Sequence, residues 1–173
     1  HYEESIRASV KQKNVILHEG FFDVIASYKA DLNSVVATMG TALTNDQAEL
    51  LKRITNHVII AYDGDKAGIK ATLKAVPILR NHNLKISILK LPNNLDPDDF
   101  IKKYGVKEYQ TLFEEKLIDP YQFGYEVFSK GKDFNKADDI TQFKKEITEL
   151  LRGVDQTILS LYQKKASDDF GID

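Results

Sequence analysis

Two aspartates stand two residues apart in the segment AYDGDKAG, directly after an apolar run. The intervening Gly64 allows the backbone to turn, so that Asp63 and Asp65 can face one pocket. Carboxylate oxygens are the preferred ligands of Mg²⁺, and two such ions can hold the attacking and leaving oxygens of a phosphoryl transfer. Each aspartate alone has an ordinary alternative, because Asp-Gly is a common turn and Asp65 could cap a helix. The pair therefore indicates a cation site only if other carboxylates converge on it.

Four more carboxylates occupy comparable positions along the chain. Glu19 ends an apolar run, Asp23 lies one helical turn later, and Asp96 and Asp98 follow another apolar run. Asp96 and Asp98 could instead begin a helix, and Asp23 could equally be a solvated helix residue. Crowded carboxylates repel one another unless cations neutralise them. If the chain brings these six together, we expect divalent metal ions between them.

The elements that would position these residues alternate along the first two thirds of the chain. Strands are predicted over residues 14–19, 34–40, 57–63 and 85–91, and helices over 20–30, 43–54, 66–82 and 96–105. This alternation is typical of an α/β fold with a mainly parallel sheet of about four strands flanked by helices. Ligands of such sheets lie beyond the carboxyl ends of the strands, where the acidic residues are placed. From residue 106 only helices are predicted.

Within the first predicted helix, Phe22, Ile25 and Ala26 are expected to share an apolar face. The composition, 42% hydrophobic and 29% charged over 173 residues, is that of a globular protein. The absence of cysteine excludes disulfides and cysteine-ligated zinc. No apolar run approaches the roughly 18 residues of a membrane span, so no membrane association is expected. The four histidines lack a zinc spacing, and His18 is predicted to be structural or to support a neighbouring site residue, rather than to be catalytic.

Four segments together carry a resemblance to a known family: EGFFDVIA, ATMGTALT, AYDGDKAGIKA and LPNNLDPDDFIKKYG. In this order and spacing they resemble the Toprim domain of bacterial DnaG-type primases, and the tail ending in ASDDFGI resembles the end of the primase polymerase core. The resemblance implies a Toprim-like domain over residues 14–105 and a helical subdomain over 106–173. Residues 1–13 would be the end of a preceding subdomain or linker helix.

The activity implied by the resemblance is synthesis of short RNA primers on a single-stranded DNA template. The substrates would be ribonucleoside triphosphates, with Mg²⁺ or Mn²⁺ as cofactor, in a cytoplasmic monomer. A replicative helicase would bind the full-length protein through a domain absent from this chain. By the same resemblance, the catalytic residues would be Glu19, Asp63 and Asp65, and the metal ligands Glu19, Asp23, Asp63, Asp65, Asp96 and Asp98. Lys66 would meet a nucleotide phosphate, and the backbone at Gly40 and Thr41 would form another wall of the nucleotide site unless it is a plain turn.

Other functions remain open at this point. The same Toprim core serves nucleases and topoisomerase-type modules that cleave DNA strands, and a non-catalytic nucleotide-binding module would carry similar acids. Primases of this family also have a zinc-binding domain and a basic, template-gripping subdomain before the Toprim part. The resemblance therefore leaves the activity of the isolated chain open.

Overall fold

The computed structural model describes Glu3, residues 14–92 and residues 95–172. The chain divides into two compact units, of which the first extends to Pro120 and the second begins at Tyr121. Apart from Glu3, the predicted segment 1–13 lies outside the described residues. The predicted boundary between a Toprim domain and a helical subdomain, after residue 105, stays a prediction.

A five-stranded sheet forms the centre of the first unit, with the strand order β2-β1-β3-β4-β5. The first four strands are parallel to one another, and β5 is antiparallel to β4. This confirms the predicted α/β fold with a mainly parallel sheet. The elements of this unit are β1 (Val15–His18), α1 (Phe21–Lys29), β2 (Val35–Ala37), α2 (Asn45–Ile54), β3 (His57–Ile60), α3 (Lys66–Asn81), β4 (Lys85–Leu89), α4 (Pro97–Tyr104), α5 (Val106–Glu115) and β5 (Leu117–Ile118).

The two central strands carry the core. All four residues of β1 are buried, as are the last three of β3. Such continuous apolar runs suit parallel strands that are covered on both faces, and full burial of each Val, Leu or Ile contributes about 1.5–3 kcal/mol. Ile16 pairs with both Val35 and Ile59, and Ile60 pairs with Ile88. This register brings the carboxyl ends of four strands to the same edge of the sheet.

Two local predictions were wrong. Leu117 and Ile118 form a short strand, where only helix was predicted after residue 106. Two residues are too few to show a strand period, and they become a strand by pairing with Leu89 and Ile88 at the edge of the sheet. In α1, Ala26 is buried as predicted, but Phe22, predicted on the same apolar face, is 79% exposed. Its neighbour Asp23 is buried instead, at 9% exposure.

The second unit is helical, as predicted, with α6 (Pro120–Ser129), α7 (Ala137–Leu150) and α8 (Gln156–Phe170). Aromatic rings fill its centre: Phe134 stacks on Phe170 at 3.6 Å between centroids, and Tyr125 meets Phe143 edge-on at 5.5 Å. The Tyr125 hydroxyl donates to Asp169 at 2.8 Å, so this polar group is satisfied inside the cluster. Across the described parts of both units, no helix has the length and apolar character needed to cross a membrane.

Candidate metal centre

Glu19 follows β1 directly and is held there by the backbone of the segment after β2. The Thr38 N–H donates to the His18 carbonyl at 3.1 Å, and the Gly40 N–H donates to the Glu19 carbonyl at 3.2 Å. Met39 and Gly40 both adopt positive φ, 62° and 75°, which turns the chain back beside Glu19. The Glu19 side chain ends in a buried oxygen, Oε1, that has no hydrogen-bond partner.

Asp63 follows β3 and presents a second buried oxygen, Oδ1, without a hydrogen-bond partner. The first turn of α3 packs against both acids at Gly68. A Cβ at position 68 would lie 2.1 Å from the Asp63 carbonyl oxygen and 2.8 Å from Glu19 Oε1. Only glycine allows this close approach, so the helix that follows the DGD segment packs directly on the Asp63 main chain and the Glu19 carboxylate.

Asp65 and Asp96 begin helices. Asp65 Oδ1 accepts from the Gly68 N–H at 2.8 Å, and Asp96 Oδ1 accepts from the Asp99 N–H at 2.7 Å. The ordinary capping alternative therefore holds for one oxygen of each residue. Their charges nevertheless act on the strand-end acids, because Asp65 raises the pKa of Glu19 and Asp96 raises the pKa of Asp63.

Asp23 lies in the first turn of α1, where its Oδ2 accepts from the Gly20 N–H at 3.2 Å. The pKa of Asp23 is raised to about 6, mainly by burial and next by the charge of Asp63; Asp96 and Glu19 add to the rise, and the hydrogen bond from Gly20 opposes it. Asp23 thus belongs electrostatically to the same group of carboxylates.

Asp98 is placed differently from the other five acids. It forms an ion pair with Lys102, one helical turn later, and the two side chains are 47% and 67% exposed. Asp98 is the main cause of the raised pKa of Lys102. The pKa shifts of the buried acids have other causes, among which Asp98 does not appear. The structure therefore brings together Glu19, Asp23, Asp63, Asp65 and Asp96, and leaves Asp98 in its own ion pair.

Burial is the largest cause of the raised pKa of both Glu19 and Asp63, and neighbouring carboxylates are the next. For Glu19 the neighbours are Asp63 and Asp65, and the Asp63 main chain opposes the rise. Raised pKa values mean that full ionisation of these acids is unfavourable, because it would place too much negative charge in one region. Protons or bound cations can neutralise that charge. We name these five residues the acidic cluster: Glu19, Asp23, Asp63, Asp65 and Asp96.

The donor set of the acidic cluster fits a hard divalent cation. All its side-chain donors are carboxylate oxygens, which Mg²⁺ and Mn²⁺ prefer, and two of those oxygens are buried without a partner. Among the described residues, no three Asp, Glu, His or Cys side chains lie close enough together to bind the same ion. An ion here would therefore keep water ligands, as Mg²⁺ usually does in proteins.

Comparison with known proteins gives one consistent result. Residues 16–101 match the family described as Toprim-like. The DNA primase of Listeria innocua is 37% identical over 173 residues, which covers 98% of this chain and 28% of that protein. The chain belongs to the DnaG primase family. It spans about a quarter of the length of the curated relatives that it matches.

Solved structures agree with this membership. The Aquifex aeolicus primase, comprising zinc-binding and RNA polymerase domains, is 28% identical with a TM-score of 0.73 over 98% of this chain and 40% of that one. A DnaG primase catalytic domain bound to single-stranded DNA is 27% identical with a TM-score of 0.72, over 92% of this chain and 51% of that one. The fold of this chain is thus the fold of DnaG catalytic cores.

The three positions predicted to bind nucleotide in this DnaG relative lie around the acidic cluster. Lys66 is the exposed first residue of α3, directly after Asp65. The Gly40 N–H is already used by the Glu19 carbonyl, and the Thr41 hydroxyl donates to the Thr38 carbonyl at 2.9 Å. Gly40 and Thr41 therefore form the turn beside Glu19, and their role toward a nucleotide stays a prediction.

His18 is fully buried behind the acidic cluster, in agreement with the structural role predicted for it. Its Nδ1 lies 2.8 Å from the Ala61 carbonyl and its Nε2 lies 2.7 Å from the Ser27 hydroxyl. Burial lowers its pKa to about 4, and the hydrogen bond with Ala61 only partly opposes the fall, so the ring is neutral at neutral pH. Ser27 also meets the Tyr109 hydroxyl at 2.8 Å. Sequence reasoning missed this contact, because no local pattern joins residues 82 positions apart.

Proposed function

We propose that this chain supplies the metal site at which a DNA primase joins ribonucleoside triphosphates into short RNA primers on single-stranded DNA. The observation that carries the proposal is the acidic cluster, in which two buried carboxylate oxygens have no hydrogen-bond partner. Relatives named DNA primase and a neighbouring catalytic domain bound to single-stranded DNA support the substrate class. In this proposal Glu19, Asp63 and Asp65 are the catalytic acids.

The residues have separate tasks in this proposal. Mg²⁺ or Mn²⁺ would supply a positive charge that stabilises the phosphate oxygens during transfer. Glu19 and Asp63 hold the cation through their unpaired buried oxygens, and Asp65 and Asp96 contribute charge while they cap α3 and α4. Asp23 adds negative charge from the first turn of α1. We assign Asp98 to its ion pair with Lys102 and leave it out of the site.

A nucleoside triphosphate is expected to bind only together with a divalent cation. The acidic cluster repels bare phosphates, and bound cations reverse the local charge. The Lys66 ammonium and the amino-terminal amides of α3 then hold the phosphate tail. Gly40 and Thr41 shape the wall beside Glu19. Each of these contacts is exposed and contributes little by itself, so affinity is expected to be weak.

The domain organisation and the partners belong to the same proposal. Residues 14–105 act as the Toprim domain and residues 106–173 as a helical subdomain. The template is single-stranded DNA, the substrates are ribonucleotides, and a replicative helicase is reached through a part of the full-length protein outside this sequence. The protein works as a monomer in the cytoplasm, where bacterial chromosomes are replicated.

The activity is tested with a chimaera in which this chain replaces the matching segment of the Listeria innocua primase. The chimaera is incubated with single-stranded template, labelled ribonucleotides and Mg²⁺ or Mn²⁺. Short labelled RNA from the chimaera, and none from its Asp63→Asn variant, is the expected result. Nicked template without RNA would indicate a strand-cleaving module instead, and nucleotide binding without either product would indicate a non-catalytic one. Circular dichroism checks that both chimaeras are folded.

The cation site is tested directly on the 173-residue chain by calorimetric titration with Mn²⁺. We expect binding by the wild type and loss of binding in Asp63→Asn. The matched control is Asp46→Asn, which neutralises an exposed acid in the first turn of α2 and is expected to leave binding unchanged. A wild-type chain that binds no Mn²⁺, or an Asp46→Asn effect equal to that of Asp63→Asn, would refute a specific site.

A further inference from the structure

A chain of hydrogen bonds runs through the core behind the acidic cluster. The Tyr109 hydroxyl of α5 meets the Ser27 hydroxyl of α1 at 2.8 Å, and Ser27 meets His18 Nε2 at 2.7 Å. His18 Nδ1 then reaches the Ala61 carbonyl, after β3, at 2.8 Å. The three side chains are fully buried. We call these residues the buried relay: Tyr109, Ser27, His18 and the Ala61 carbonyl.

The buried relay has a single direction of donation. A carbonyl oxygen only accepts, so His18 Nδ1 carries the proton that is donated to Ala61, and Nε2 of the neutral ring accepts. The Ser27 hydroxyl therefore donates to Nε2, and its oxygen accepts from the Tyr109 hydroxyl. Every polar atom of the buried relay is satisfied in this one arrangement. A fully satisfied buried network favours a unique packing of the elements that it joins.

Three of the four elements joined by the buried relay carry or closely precede an acid of the cluster. Three members each stand close to one carboxylate in sequence: His18 directly before Glu19, Ala61 two residues before Asp63, and Ser27 one helical turn after Asp23. The two carboxylates do not fix their own separation, because Glu19 Oε1 and Asp63 Oδ1 lack hydrogen-bond partners and their charges repel; only the Asp63 main chain hydrogen-bonds to the Glu19 carboxylate. Their separation therefore depends on how β1 and β3 are held together, by the strand pairing and, from behind, by the buried relay.

We propose that His18, Ser27 and Tyr109 are positioning residues, which hold Glu19 and Asp63 at the separation that binds one divalent cation. None of the three is placed to touch substrate, so their effect passes through the backbone of the strands and of α1. The inference rests on the proposed cation site. Residues that orient metal ligands typically change metal affinity 10–100-fold when they are replaced. A purely structural network would change thermal stability and leave the affinity alone.

The main test is Ser27→Ala in the 173-residue chain, with Ser34→Ala as the matched control. Ser34 is also fully buried, and its hydroxyl donates to the Asn14 carbonyl at 2.5 Å. It precedes β2, at the sheet edge opposite to the acidic cluster. Calorimetry with Mn²⁺ and thermal unfolding in EDTA are measured for both. We expect similar falls in melting temperature, an approximately tenfold weaker Mn²⁺ affinity for Ser27→Ala, and an affinity within about twofold of wild type for Ser34→Ala.

Tyr109→Phe provides a second variant that removes one oxygen and keeps the ring, which packs edge-on against Phe113 at 5.2 Å. We expect it to weaken Mn²⁺ binding in the same direction, and it decides the question if Ser27→Ala does not fold. Wild-type affinity in a folded Ser27→Ala or Tyr109→Phe protein would overturn the positioning role while the cation site stands. Failure of the wild-type chain to bind Mn²⁺ would instead refute the proposed function and this inference with it.

Discussion

Replacement of Gly68 by alanine is the sharpest test of how closely α3 is built onto the acidic residues. Gly68 is the third residue of α3, and its N–H donates to the capping Asp65. A Cβ at this position would lie 2.1 Å from the Asp63 carbonyl oxygen and 2.8 Å from both the Asp63 carbonyl carbon and Glu19 Oε1. The nearest obstacle is backbone, which cannot rotate away as a side-chain end can. Helix and strand end must therefore separate by about 1.4 Å or more to reach ordinary contact.

Two opposing effects set the size of the change. Alanine is favoured over glycine in a helix by up to about 1 kcal/mol. Overpacking of a tight site costs about 1–3 kcal/mol or more, and the upper end applies because the clash is with backbone. We expect the free energy of unfolding to fall by about 2 kcal/mol, which is a melting temperature about 4–8 °C lower for a chain of this size.

The assay is thermal unfolding followed by circular dichroism in EDTA, together with Mn²⁺ titration. Gly124→Ala in α6 is the matched control, because its Cβ would also lie 2.1 Å from a neighbour, but that neighbour is the end of the Leu150 side chain. Leu150 can change rotamer, so we expect a smaller loss there and no change in Mn²⁺ affinity. Gly68→Ala should weaken Mn²⁺ binding as well, since it displaces Glu19. A Gly68→Ala protein that melts at or above the wild-type temperature would refute the close packing.

Two further predictions concern individual acids. Asp96→Asn keeps a good helix cap and removes only charge, so it should weaken Mn²⁺ binding several-fold when measured by calorimetry. Asp98→Asn should leave Mn²⁺ binding unchanged. Equal effects of the two substitutions would contradict the placement of Asp98 outside the site. The folded-state pKa of Asp23, about 6, lies above its ordinary value of 3.8, so the folded state holds this proton more tightly than the unfolded state. Without metal, stability present below about pH 4 is therefore lost as the pH rises to about 6, by up to about 3 kcal/mol. Melting temperatures in EDTA should be higher at pH 5 than at pH 7.5, and Asp23→Asn should reduce the difference; an unchanged difference would show that other groups cause it.

The parts of the fold that the sequence predicted are those set by local chemistry. The apolar runs that became β1 and β3 are long enough and apolar enough to indicate buried parallel strands. Once those strands are parallel, the positions of Glu19 and Asp63 follow, because both residues come just after a strand. The convergence of acids at one edge was therefore predictable without any knowledge of their contacts.

The parts that the sequence missed are set by contacts between distant residues. The spacing within α1 is compatible with burial of either Phe22 or its neighbour, and the structure buries Asp23 beside Ser27. Ser27 is polar, and its burial becomes favourable only through His18 and Tyr109, which lie in β1 and α5. A helical period that counts only apolar residues cannot find a buried face of this kind.

Helix capping and participation in the acidic cluster are compatible roles for Asp65 and Asp96. From the sequence they were rival explanations, but a carboxylate has two oxygens and a charge, so one oxygen can cap a helix while the charge acts on the cluster. In the structure Asp65 caps α3 through Oδ1, where the helix dipole makes its charge less costly, and the same charge raises the pKa of Glu19. The strand-end acids Glu19 and Asp63 have no such local partner for their buried oxygens. An unmet buried oxygen costs about 1–3 kcal/mol, so these two atoms are where a cation would gain most. The helix-start acids therefore hold negative charge in place with little loss of stability, and the strand-end acids supply the buried oxygens that would bind the cation.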